Sequence, residues 1–116
     1  MDYIMFMAKI ERLNKEIHEK LSLNCIIKIK TVGIADRLYR TGGCKISRYI
    51  INLSGVLKWT IGTTPEPDEH GEYWVDFKSE DKKFNVQREC NSEIYTDETD
   101  IIGLCINDIE QFDWIL

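Results

Sequence analysis

Apolar residues recur at steps of three and four through the first twenty-one positions: Tyr3, Phe6, Ile10, Leu13, Ile17 and Leu21. That spacing puts them on one face of an amphipathic helix over 2–21. The opposite face carries Lys9, Glu11, Arg12, Lys15, Glu16, Glu19 and Lys20. Glu11–Lys15 and Glu16–Lys20 stand in the order that favours i,i+4 pairing. Asp2 is placed to cap the start, and Ser22 and Asn24 break the pattern. A stripe of under three heptads is short for a coiled-coil seam, so the helix is expected to pack on a sheet.

Beyond residue 24 the period drops to two. Residues 25–32 read as a strand, with Ile27 and Ile29 on one face and Lys28 and Lys30 on the other. Gly33 to Arg40 reads equally as a short helix or a strand continuation, and Thr41-Gly42-Gly43 as a turn. Residues 44–53 and 56–61 read as two strands. The Ser54-Gly55 pair between them is a hairpin signal. Gly62 to Gly71 is a loop, since Pro65 and Pro67 remove backbone donors and Thr63, Thr64 and Asp68 favour turns. Tyr73, Val75 and Phe77 alternate within a strand over 72–78, and Phe84 and Val86 within one over 83–90. Residues 79–82 join the two as a turn.

Asn91 to Asp100 reads as a polar, acidic loop and 101–106 as a strand. Asn107 then resembles an N-cap, with Glu110 three residues on. A short helix over 108–116 would bury Ile109 and Phe112. One continuous helix over 101–116 fits the same apolar spacing, though Gly103 counts against it. The expectation is therefore one α+β domain over 1–116. An N-terminal amphipathic helix packs on a mostly antiparallel sheet of five or six strands, and a short C-terminal helix closes the chain.

Composition narrows the function classes. Hydrophobic residues make up 43% and charged residues 30% of the chain, which excludes wholesale disorder. No signal-peptide pattern or bilayer-length apolar run occurs, so a cytoplasmic protein is expected. The four cysteines have no CxxC pair. In that compartment they read as free, buried thiols. No zinc-ligand spacing, catalytic signature or cofactor fingerprint occurs, so neither an enzyme nor a cofactor is expected. His18 and His70 each lack a nucleophile motif nearby and read as solvated.

Charge changes the picture most. Residues 1–60 hold 11 Lys/Arg and 5 Asp/Glu, whereas 61–116 hold 4 and 15. The chain is thus +6 in its first half and −11 in its second. The cations Lys28, Lys30, Arg37, Arg40, Lys45 and Arg48 interleave with Tyr39 and Tyr49, a pattern that suits phosphate contacts. The net charge of −5 argues against a nucleic-acid module. The basic segment is expected instead to line a sheet face and pair with the acidic half. The carboxylates Glu66, Asp68, Glu69, Glu72, Asp97, Glu98 and Asp100 fall in predicted loops or at their edges. With Trp74 and Tyr95 as aromatic anchors they compose a candidate surface for a basic protein.

The leading expectation is a non-enzymatic binding or inhibitory protein that neutralises a basic partner, in the manner of an immunity protein against a nuclease toxin. The alternatives are a phage-encoded inhibitor of a host defence protein and a nucleic-acid-associated regulator acting through 28–48. The sequence fixes neither the partner nor the oligomeric state.

Overall fold

The computed structural model describes residues 2–20, 24–32 and 46–115, with side chains in the first segment up to Ile17. The readings for residues 33–45 lie outside the described residues, as does the His18 side chain.

Helix α1 (Tyr3–Lys20) is followed by β1 (Ile26–Thr31), β2 (Ile46–Asn52), β3 (Trp59–Thr63), β4 (Trp74–Ser79), β5 (Phe84–Cys90), β6 (Glu93–Thr99), β7 (Ile101–Cys105) and β8 (Ile109–Ile115). The fold is α+β, and every strand pair is antiparallel. The strands form two sheets, not one. The larger has the order β6-β5-β2-β1-β8 and the smaller β3-β4-β7.

The N-terminal reading holds closely. Asp2 Oδ1 accepts the Met5 N–H at 2.8 Å, a capping bond to the third helical residue. Phe6, Ile10 and Leu13 are buried, with Tyr3 and Ile17 packed at the rim. The helix lies against both sheets. Phe6 meets Phe112 of β8 edge-on at 5.1 Å, and Tyr3 stacks on Tyr73 at 4.0 Å. Phe77 of the smaller sheet stacks with Phe112 at 6.4 Å. The core therefore sits where α1 and the inner faces of both sheets converge.

Alternation creates the larger sheet's inner face. Ile27 and Ile29 of β1, Tyr49 and Ile51 of β2, and Phe84 and Val86 of β5 are all buried. The expected hairpin at Ser54-Gly55 does not form. The turn is there, with Gly55 at φ +80 and the Val56 N–H bonded to the Leu53 carbonyl at 3.0 Å. It carries the chain from one sheet to the other, because Leu53 and Val56 are both pulled into the core. The 79–82 turn likewise links β4 to β5 across the sheets. These two corners are tied together. The Glu80 N–H donates to the Lys58 carbonyl at 2.7 Å and the Leu57 N–H to Asp81 Oδ2 at 2.8 Å.

Two further readings are corrected. Residues 91–100 are not a loop: Asn91 (φ 49) and Ser92 (φ 66) make the two-residue turn of a β5–β6 hairpin. The C-terminal helix is absent. A 3-10 turn, Ile106–Asp108, leads directly into β8. Ile109 and Phe112 are three apart yet both buried, because the β1–β8 register slips between Lys30 and Thr31. Thr31 faces Ile109 while Lys30 faces Gln111, which leaves Glu110 as the extra residue of a β-bulge. A second slip, between Ile46 and Arg48 in the β2–β5 ladder, lets Ile46 and Tyr49 of β2 both point inward.

The thiol reading holds for Cys25 and Cys105, which are free and buried. Desolvation pushes each thiol up to about 11. It fails for Cys90, which is disulfide-bonded. Among the described residues no helix is long and apolar enough to cross a membrane.

Candidate partner-binding surface

The two acidic groups have different supports. The first is the loop between β3 and β4, organised around Asp68. Its Oδ1 accepts the N–H groups of His70 at 2.9 Å and Glu72 at 3.0 Å, and its Oδ2 accepts Trp74 Nε1 at 2.7 Å. The Trp74 bond, then the Glu72 amide, hold the Asp68 carboxyl below the usual range. Gly71 adopts φ +78 and donates to the Asp68 carbonyl at 3.0 Å. Asp68 is thus the organiser of its own loop. Trp74 packs half-buried against the core with its indole N–H engaged, so it is not an exposed aromatic.

Glu66 and Glu69 project into solvent, the latter 3.5 Å from His70 Nε2. Glu72 is half-buried and close enough to Asp108 that its charge, after desolvation, raises the Asp108 carboxyl.

The second group belongs to β6, an edge strand on which six of seven residues are exposed. Register with β5 assigns the faces. Glu93, Tyr95, Asp97 and Thr99 stand on the side of Cys90, Arg88, Val86 and Phe84, whereas Ile94, Thr96 and Glu98 stand on the outer side. Asp97 meets Arg88: Nη1 and Oδ2 are 2.7 Å apart, and the guanidinium lies 5.9 Å from the Tyr49 ring centroid. The Arg88 side chain is 3% exposed. Tyr95 donates its hydroxyl to Glu93 Oε2 at 2.6 Å. Glu98 and Asp100 make no ion pair among the described residues.

The two groups do not merge into one patch. The loop closes at the Trp74↔Cys105 end of the β4–β7 ladder, and Asp100 precedes the Lys78↔Ile101 end. Four strand steps separate them, roughly 14 Å. Glu66, Asp68, Glu69, Glu72 and Trp74 stand together at one end. Asp100 stands at the other, and Tyr95, Asp97 and Glu98 are strung along β6, which leads to it.

Sequence reasoning missed Arg88, Glu93 and Ile94. Arg88 had a signal, because it takes the inward position in the alternation Phe84, Val86, Arg88, Cys90. An Arg there requires a buried counter-charge. The basic segment is also placed differently from expectation. Lys28, Lys30 and Arg48 are exposed on the outer face of the larger sheet. Only Lys30 has a carboxylate in pairing range among the described residues, Glu110 at 3.5 Å. Tyr49 is buried on the other face.

No protein-family model, curated protein or solved structure matches the chain.

Proposed function

We propose that this is a non-enzymatic binding protein that neutralises a basic protein partner, with the acidic edge strand β6 as its main contact. The supporting observation is the combination of a strand that pairs on one side only among the described residues and of carboxylates on both faces of it. Glu93 and Asp97 flank the edge on one side and Glu98 on the other, with Asp100 just beyond. An extended basic segment laid beside β6 would gain main-chain hydrogen bonds, and its Lys and Arg side chains would stand opposite these carboxylates. Tyr95, 41% exposed, is the aromatic anchor of the set. Glu66 and Glu69 at the far loop form a second acidic point for a partner wide enough to reach it. Occlusion of a cationic active site is the form of inhibition this arrangement favours, as in an immunity protein against a nuclease toxin.

The reading keeps the protein in the cytoplasm. The Cys90 disulfide bears against that part of it, because disulfides persist mainly in oxidising compartments. Trapping thiols in freshly quenched cells decides the matter: Cys90 labelled as a free thiol supports the cytoplasm, and Cys90 blocked removes it.

The contact itself is tested with the partner purified from the native host. Its association rate should fall steeply with ionic strength, and the Glu93→Lys/Glu98→Lys variant should bind about tenfold or more weakly. An on-rate insensitive to salt, or full affinity in that variant, removes β6 as the contact.

A further inference from the structure

The outer face of the five-stranded sheet holds a groove of about 310 Å³, lined by Lys28, Lys30, Arg48, Ile50, Gln111 and Asp113 together with Ile29 and Tyr49. A second hollow of about 90 Å³ adjoins it and shares Arg48 and Ile50, with Ile94, Gln87, Arg88 and Glu89 as its other lining. Together they run across the strands from β8 to β6.

The charges in this groove are set against themselves. Lys30 of β1 stands directly opposite Arg48 of β2, and Lys28 stands one same-face position along from Lys30. Like charges directly opposite across a ladder repel and are avoided unless something offsets them. Protein groups offset them only in part. Glu110 reaches Lys30 at 3.5 Å; Asp113, opposite Lys28, accepts a bond from Gln111 Nε2 at 2.7 Å; and Glu89 stands opposite Arg48. Lys28 and Arg48 have no carboxylate within pairing range among the described residues.

We propose that this groove binds a phosphate monoester of about mononucleotide size. Its dianionic head would sit between Lys28, Lys30 and Arg48, and its body along Ile50 towards Ile94. Three converging cations suit a dianion better than a single carboxylate, and the Arg48 fork matches phosphate geometry. Glu89 faces Arg48 from β5 and Asp113 faces Lys28 from β8, so the phosphate is repelled from both flanks and held between them over the Lys30–Arg48 pair. Ile94, 67% exposed, and half-buried Ile50 supply the apolar floor for the body. The volume stands at the low end of small-molecule sites. None of the described residues on this face is an aromatic that bases could stack on, which favours a small molecule over a nucleic-acid strand.

The probe is AMP, titrated into the full chain and followed by amide chemical shifts, with adenosine and inorganic phosphate in parallel. AMP should perturb Lys28, Lys30, Arg48 and Ile50 saturably. Adenosine should bind about tenfold or more weakly, and inorganic phosphate more weakly than AMP. Arg48→Gln relieves the repulsion with Lys30, so it should fold and yet lose about tenfold in AMP affinity. Lys78→Gln, the same charge change on the smaller sheet, should bind as the native chain does. Equal losses in these two variants, shifts centred elsewhere, or phosphate binding as tightly as AMP would overturn the assignment. The Glu93→Lys/Glu98→Lys variant should keep its AMP affinity, which separates this site from partner binding at β6.

Discussion

Replacing Asp97 by Asn should cost more stability than replacing its partner Arg88 by Met, although Arg88 is the more deeply buried of the two. The Arg88 side chain is 3% exposed and Asp97 48%. Asn keeps the shape of Asp97 but removes the negative charge 2.7 Å from the guanidinium. The cation then stays in the core without the Asp97 charge. Breaking one side of a fully buried pair costs about 3–5 kcal/mol, and the half-exposed position of Asp97 reduces that to about 2 kcal/mol. Met in place of Arg88 keeps an unbranched apolar stem, removes the buried charge and leaves Asp97 free to hydrate. That exchange should cost about 0–1 kcal/mol, including the weak contact with the Tyr49 ring. The double variant should match Arg88→Met within about 0.5 kcal/mol, because the pair no longer exists to be broken. Urea unfolding with a shared m-value gives all three numbers. If Asp97→Asn stays within about 0.5 kcal/mol of the native chain, or Arg88→Met is the worse of the two, the pair is not what holds β6 to β5.

Two other outcomes follow from the packing and the carboxyls. Phe112→Ala should lose about 3–5 kcal/mol by the same assay, since Phe112 is fully buried and its ring meets Phe6 of α1 and Phe77 of the smaller sheet. The Asp68 and Asp81 carboxyls are held below their ordinary 3.8, Asp68 chiefly by the Trp74 indole and Asp81 chiefly by the Leu57 amide. Their stabilisation is present above the ordinary carboxyl range and lost as pH falls through the lowered folded values. Asp68→Asn and Asp81→Asn should therefore flatten the acid limb of a thermal pH profile. Asp108 is raised, so its ionised form opposes folding as pH climbs through that raised value, and Asp108→Asn should be more stable than the native chain at pH 7. The opposite sign in either set removes the assigned cause.

Where the chain obeys one period without interruption, its residues foretell the element. The Tyr3–Ile17 stripe, the Ile27/Ile29 and Lys28/Lys30 alternation, and the Tyr73, Val75 and Phe77 run all do so. The errors concentrate where a local device breaks the period. A bulge at Glu110 gives β8 the three-residue spacing of a helix, and no residue type marks a bulge in advance. At Asn91-Ser92 a two-residue turn carries positive φ without glycine, so a strand of polar residues passes for a loop. The turns at Ser54-Gly55 and 79–82 are correctly turns. Whether a turn returns the chain to its own sheet or sends it across depends on burial of Leu53 and Val56, a tertiary matter. The candidate site was legible as residue types but not as a surface. Nothing local to Asp68 and Asp97 reveals that one would organise its own loop and the other would neutralise a buried Arg.

The fate of the segregated charge is then a matter of faces. Among the described residues the expected neutralisation of the basic segment by the acidic half comes to one ion pair, Lys30–Glu110. Lys30–Glu110 and Arg88–Asp97 are both pairings within the larger sheet, and the latter draws its cation from the acidic half itself. Alternation fixes which charges can meet. Lys28, Lys30 and Arg48 are locked onto the outer face by the burial of Ile27, Ile29 and Tyr49, while Glu93, Asp97 and Asp100 are held at the edge and beyond it by the β5 register. A one-residue slip that brought the charges together would turn the core outward. On the outer face Asp113 stands opposite Lys28 and Glu89 opposite Arg48, beside the Lys30–Arg48 repulsion, while Glu98 and Asp100 make no ion pair among the described residues.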